Sequence, residues 1–376
     1  MTTRRAALLT LPALAAACAL PVREPPVPAN EDRIASVLGV PDERFVAGRI
    51  AEGFRRAFDT GTARWRAGAA DPAAVDRAGF DLLAISGGGE DGAFGAGLLT
   101  AWTDRPVFHL VTGVSTGALT APFAFLGPDW DDGLRRVYTE ITLADVAVSR
   151  NLFAALFDDE MGVALPLYRT ISRELDARMM AAIAREHARG RLLLIGTTNL
   201  DTATPVIWNI GAIAASGHPR ALETIRKVLL ASAAIPGAFP PVLFDVELDG
   251  RRYQELHVDG GAIAQAFLYP ESLGAQRRAD IRAGRPVRPV RAWLIRNGRM
   301  DAPFAATDRR TLTIAQRAVA TMLAAGGYHD AIRMWLTSER DGVEFRVAWI
   351  GDGFGVPYSA PFDRAYMRAL FDDGQQ

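Results

Sequence analysis

The chain has 376 residues, 49% hydrophobic and 23% charged, enough apolar material for one large α/β domain or two smaller ones. Basic residues number 42 against 43 acidic, a net charge of −1, so no basic surface field argues for a nucleic-acid partner. Lys227 is the sole lysine and Cys18 the sole cysteine, which excludes a disulfide within the chain.

Arg4 and Arg5 head an apolar run from Ala6 to Ala17, broken by Thr10 and Pro12 and too short to cross a bilayer. It leads directly into Cys18. A segment of this shape ending at a lone cysteine resembles a bacterial lipoprotein signal. Residues 1–17 would then be a signal peptide, with Leu14-Ala15-Ala16-Ala17 preceding the cut, and Cys18 would carry the lipid. The alternative is an ordinary secretory signal with an incidental cysteine. The first reading expects an exported protein, anchored by lipid in the bacterial cell envelope on the periplasmic side or in the outer membrane. Residues 18–30, with four prolines from Pro21 to Pro28, read as an extended tether, and residues 31–376 as a single domain.

Residues 31–66 read as helical in pieces, with Phe45, Ile50, Phe54 and Phe58 at helical spacing. Residues 67–78 read as a linker or short helix. Asp81 to Ser86 is the first strand, and it opens onto Gly87-Gly88-Gly89-Glu90-Asp91-Gly92. That spacing is neither a dinucleotide fingerprint nor a phosphate loop. Three glycines after a strand instead supply a row of unobstructed N–H groups, a nest for an anion.

A second β-prone run, from Phe108 to Thr112, feeds Gly113-Val114-Ser115-Thr116-Gly117, and helix-forming residues follow at once. Strand, sharp turn with serine, then helix is the order of a nucleophile elbow. Gly113 and Gly117 flank the turn because strand and helix approach closely there, where a Cβ would collide. With an elbow serine one βαβ step away, the anion for the glycine nest is most simply the oxyanion of acyl transfer.

Past the elbow, Ala118 to Leu126 reads as a helix in which Pro122 marks a kink or an early end. A helix from Asp131 to Tyr138 would be capped by Asp129 or Asp131. Between 141 and 166 lie Phe153, Phe157, Asp158, Asp159 and Glu160, suited to a lid or acyl-chain wall or to a plain surface subdomain. Ile171 to Arg189 reads as one amphipathic helix, stopped at Gly190. Strands at 192–197 and 205–210 precede a helix at 222–234 that ends in small residues, Ala231-Ser232-Ala233-Ala234, before Pro236-Gly237.

Residues 242–248 and 253–258 pair around the Asp249-Gly250 turn, and the second strand ends in Asp259-Gly260-Gly261. A carboxylate at the carboxyl end of a strand is where α/β enzymes place catalytic groups. Strands at 290–295 and 343–350, helices at 311–325 and 328–336 between them, and a helix at 363–371 complete the chain. The alternation implies an α/β fold, a three-layer sandwich with a mostly parallel central sheet flanked by helices.

A serine nucleophile needs a proton acceptor. Of the five histidines, His109, His187, His218 and His329 sit in strand, helix or turn positions that fit no serine–acid–histidine order. His257 shares a strand face with Asp259 and stays in reserve. Asp259 itself can serve only if held at hydrogen-bond distance from Ser115 in a partly dehydrated site.

Four blocks in one order, the triple-glycine loop, the serine elbow, Ala231 to Pro241 and Asp259-Gly260-Gly261, together resemble the patatin-like phospholipase family over about residues 80–265. The resemblance implies a serine–aspartate dyad of Ser115 and Asp259, with the Gly88 and Gly89 N–H groups as the oxyanion hole. It further implies hydrolysis of lipid carboxylic esters, of phospholipase A or lysophospholipase type, through an acyl-enzyme and without a metal or other cofactor. The expected partners are a lipid or other acyl-ester substrate and a membrane reached through the lipid anchor. The sequence departs from the family at Asp91, where an arginine or lysine is usual. That carboxylate either turns away and pairs with an arginine or alters the activity, and the alternative function is an inactive envelope lipoprotein that binds lipid or a partner. A serine peptidase is the third option.

Overall fold

The computed structural model describes residues 23–29, 31, 34–146, 160–301 and 306–376. The signal segment 1–17, Cys18, Phe153, Phe157, Asp158 and Asp159 lie outside the described residues. Among those described, no helix is long and apolar enough to cross a membrane. Of the residues read as a tether, Arg23 pairs with Asp201 at 2.5 Å and the Pro25 carbonyl accepts from the Gln254 N–H at 3.1 Å, so this stretch lies against the domain.

Among the described residues nine strands form one sheet: β1 Arg44–Val46, β2 Phe80–Ile85, β3 Leu110–Val114, β4 Leu192–Asn199, β5 Thr204–Asn209, β6 Val242–Leu248, β7 Arg251–Asp259, β8 Val290–Arg299 and β9 Glu344–Ile350. Their order is β1-β5-β4-β3-β2-β8-β9, with the β6–β7 hairpin attached through β7 to β4. The centre is parallel (β4, β3, β2, β8, β9), and antiparallel pairing is confined to β1, β5 and the hairpin. Strands β2, β3 and β4 are buried throughout, as expected of parallel strands covered on both faces.

Alternate side chains of these strands enter different cores, the consequence of a two-residue period. Leu83, Ile85, Val111, Leu193 and Ile195 join one core, and Leu82, Ala84, Leu110, Leu192 and Leu194 the other. The helices in chain order are α1 Ile50–Ala67, α2 Pro72–Ala78, α3 Gly92–Ala101, α4 Thr116–Leu126, α5 Asp131–Glu140, α6 Leu143–Val146 and α7 Glu160–Glu174. There follow α8 Ala177–Ala188, α9 Ile210–Ala215, α10 Ala221–Ser232, α11 Glu271–Arg282, α12 Thr311–Asp341 and α13 Arg364–Gly374. Helices α3, α4, α5, α7, α8, α10 and α13 cover the first core, while α1 and α12 cover the second. This is the expected three-layer α/β sandwich.

Several boundaries differ from the expectation, each for a local reason. Phe45 lies in β1, pairing with Ile207 across the sheet edge, and the helix starts only at Ile50. Pro122 does not end α4, which continues to Leu126. Neither Asp129 nor Asp131 caps α5; Asp131 instead holds Arg105 at 2.7 Å. The stretch read as one helix from Ile171 is two, because Asp176 caps α8 by accepting the Met179 N–H at 2.8 Å. Conversely, α12 runs unbroken through Gly326-Gly327, where the absence of a side chain makes room for the Arg296 guanidinium.

One buried ion pair ties the sheet edge to the hairpin. Arg44 of β1 donates to both oxygens of Glu255 in β7, at 2.6 and 3.0 Å, with both side chains almost fully enclosed. Burial would raise the Glu255 carboxyl, but Arg44 and His257 hold it down at about 2, below its usual 4.5. A carboxylate with a depressed folded pKa stabilises the fold above its unfolded pKa, and that stability is lost as pH falls through the folded value. The parent protein should therefore lose stability between about pH 4.5 and 2. Arg44→Ala, which strands the buried carboxylate, should cost about 3–5 kcal/mol at neutral pH by urea denaturation and abolish that acid slope.

Candidate active site

The sheet register explains why residues 144 positions apart in sequence, Ser115 and Asp259, come together. Strand β3 pairs with β4 up to Val114 opposite Gly196, and there the chain leaves the sheet at Ser115. From Thr197 onward the same edge of β4 is taken by β7, running the other way, with Asp259 opposite Thr197. The opposite edge of β4 is occupied by β5 over both stretches. The two strands thus meet end to end along one edge, and the residue at each tip points into the same gap.

Ser115 has φ 55° and ψ −127°, a backbone conformation in which a residue with a Cβ is strained. Three contacts hold it there. Its N–H donates to Ser232 Oγ at 3.0 Å, and Ser232 Oγ donates in turn to the Gly196 carbonyl at 2.7 Å. Its own carbonyl accepts from Ala118 N–H at 2.8 Å, starting α4. The small residues that end α10 are therefore packed against the elbow. A Cβ on Gly113 would collide with the Gly117 carbonyl, as expected. A Cβ on Gly117 would strike Ile85 and Ser86 at the tip of β2, a neighbour the sequence did not identify.

Asp259 is 3% exposed. Its Oδ1 accepts the Gly261 N–H at 2.7 Å, which explains the glycines after it: the chain must fold back tightly around the carboxyl. Burial pushes this carboxyl up to about 7, against the lowering effects of Ser115 and of the Gly261 N–H. The Ser115 hydroxyl is near enough to act on it, while Oδ2 is buried without a formed hydrogen bond.

His257 is engaged elsewhere. Trp208 Nε1–H donates to Thr197 Oγ1 at 2.8 Å, which frees the threonine proton for His257 Nδ1 at 2.9 Å, and Nε2–H then faces Glu255 at 3.0 Å. Burial lowers the imidazole pKa, against the raising effect of Glu255. Among the described residues no histidine lines the cavity beside Ser115.

The glycine loop is set by residues that the sequence reading missed. Gly87 N–H donates to the Gln265 carbonyl at 3.0 Å, and Asp91 N–H to the Gly88 carbonyl at 3.1 Å, so the Gly88 and Gly89 N–H groups are not used by those bonds. Asn297, at the carboxyl end of β8, clamps the loop. Its Nδ2 donates to Ser86 O at 3.0 Å, and its Oδ1 accepts Gly95 N–H at 3.1 Å. A Cβ on Gly88 would collide with its carbonyl. The only available signal for Asn297 was its place just past an apolar strand. Asp91 is held by α13, where Tyr366 donates to its Oδ1 at 2.9 Å. The expected arginine pairing is not what holds it; Arg296 and Arg299 act only at longer range, and burial pushes the carboxyl up to about 7.

Gly89 and Ser115 line a cavity of about 80 Å³. Its walls are almost wholly apolar, with Leu119, Phe123, Ile171 and Leu229 among them. Among the described residues no cluster of histidine, cysteine, aspartate or glutamate could hold a metal ion.

A strained serine, a protonatable buried carboxyl and open glycine amides at the end of an apolar cavity suit attack on an acyl ester. No curated protein matches the chain. A family model does: residues 83–269 match Patatin, described as patatin-like phospholipase. The stretch from partway through β2 to just past the Asp259 loop is thus similar to a patatin-like phospholipase domain.

Proposed function

We propose that the protein hydrolyses carboxylic esters of lipids, as a phospholipase A or lysophospholipase, through an acyl-enzyme on Ser115. The observation that carries this reading is the meeting of the β3 and β7 tips at the end of an apolar cavity. Ser115 Oγ attacks the ester carbonyl carbon while its proton passes to Asp259. The carbonyl oxygen, now an oxyanion, takes the N–H groups of Gly88 and Gly89. Collapse breaks the ester C–O bond and the departing alcohol takes the proton from Asp259. A water molecule then gives its proton to Asp259 and attacks the acyl carbon, and the fatty acid leaves as Ser115 regains its hydrogen.

Aspartate is ordinarily too weak a base for this. Here burial brings its pKa to about 7, within the range where a general base works best at neutral pH. The competing reading of an inactive lipid-binding relic draws on Asp91, and against it stands the Tyr366 hydrogen bond, which gives that carboxylate a partner of its own. Export to the bacterial cell envelope with Cys18 as the lipid-bearing anchor completes the proposal.

Three measurements test it. A fluorophosphonate probe should label the parent on Ser115 and leave Ser115→Ala unlabelled, with ester turnover down at least about a thousandfold. Asp259→Asn should retain the fold and lose about a hundredfold to ten-thousandfold of activity. A folded parent that neither labels nor turns over any ester refutes the assignment.

The pH dependence has a definite sign. The rate should rise with pH through about 7 as Asp259 ionises. Folding stability should move the other way. The folded pKa lies above the unfolded one, so the penalty is absent below about pH 4 and grows until pH passes the folded value. Asp259→Asn should therefore match the parent in acid and exceed its stability at pH about 8 by a few kcal/mol, read from urea midpoints. For the anchor, cells fed labelled palmitate should incorporate it into the parent but not into Cys18→Ser.

A further inference from the structure

The cavity beside Ser115 has a measurable depth. Thr116, Leu119, Pro122 and Phe123 line it and recur every three to four residues, so one face of α4 forms a wall running away from the serine. From Ser115 to Phe123 is eight residues, roughly 12 Å along a helix axis. Helix α5 runs antiparallel beside it: the Tyr138 hydroxyl binds the Thr116 carbonyl at 3.0 Å near the serine, while Gly133 lies against the Phe123 ring. Helix α10 agrees, with Ser232 at the elbow and Leu229 a turn deeper.

Away from Ser115, among the described residues, Phe123, Leu175 and Met179, each at most 4% exposed, form its floor together with Glu174. That floor is fixed, because Arg226 donates to the Leu175 carbonyl at 2.9 Å and the Ser172 carbonyl at 3.0 Å, pinning the end of α7. Glu174 is held by Arg173 at 3.0 Å and Arg136 at 3.5 Å. An alkyl tail pushed past the floor would have to displace packed side chains and desolvate these charges.

We infer that the cavity selects acyl chains of about eight to ten carbons, the extended length that two turns of α4 accommodate, and rejects longer ones at the Phe123–Leu175–Met179 floor. The inference rests on the acyl-hydrolase reading above and names the substrate class within it.

The test uses the full chain and p-nitrophenyl esters from butyrate to palmitate, each below its micelle concentration. The expected kcat/KM is highest at octanoate or decanoate and at least about tenfold lower at palmitate. Two variants should move this optimum in opposite directions: Met179→Ala toward laurate or myristate by deepening the floor, and Leu119→Phe toward butyrate by blocking the cavity one turn from the serine. A parent profile that is flat or still rising at palmitate overturns the inference, as does an unmoved optimum in both folded variants. A small ethyl fluorophosphonate separates the two failures. Labelling of Ser115 with a flat profile overturns the length limit alone, whereas no labelling and no turnover of any ester overturns it together with the reading on which it rests.

Discussion

The shared edge of β4 is the constraint on which the rest of this structure depends. One strand gives up its place beside Gly196 and another takes over at Thr197, so the tips of β3 and β7 meet along that edge. The join leaves no space to spare: a Cβ on Gly260 would meet the Gly196 carbonyl and Val114. Ser232 then stitches elbow and sheet together through one hydroxyl that both donates and accepts. A backbone strain of about 1–3 kcal/mol at Ser115 persists because the surrounding contacts leave the chain no relaxed alternative.

Glu255, His257 and Asp259 lie on one face of one strand, two residues apart, yet they have separate fates. Glu255 meets a guanidinium and falls to about 2; Asp259 meets a hydroxyl and one N–H and rises to about 7. Burial alone would have raised both, so the difference lies in the partners. The imidazole between them serves the structural side of this divide, joining Glu255 to Thr197 and Trp208. Proximity in sequence to a catalytic candidate was no guide to its role.

How much of this was legible beforehand follows from the range of the interactions involved. The apolar strands, the elbow with its glycines and the Asp-Gly-Gly turn are local patterns, and each lies where the sequence indicated. Helix limits were less legible because they hinge on single contacts: Asp176 splits a continuous amphipathic pattern, and Arg296 explains a glycine pair that reads as a break. Gln265 and Asn297 carry no motif of their own, and the Ala231 to Pro241 block that holds Ser232 gives no hint of its partners. Each acts through a backbone group more than thirty residues away, information that periodicity does not contain. The turning of Asp91 toward Tyr366 is of the same kind, a contact across 275 positions.

Strand β8 pairs with the whole length of β2, supplies the asparagine that clamps the glycine loop, and comes after residue 269 in the chain. Helix α13, later still, lies backbone to backbone on α3, where a Cβ on Gly97 or Gly374 would strike the opposite helix's carbonyl. The recognisable motif region and the cooperative folding unit are therefore different objects. Excised at its matched ends, that region would begin partway through β2, with the long edge beside the glycine loop unpaired and open to intermolecular strand addition. What gives such a segment its definite shape is contributed by polypeptide that bears no recognisable signature of its own.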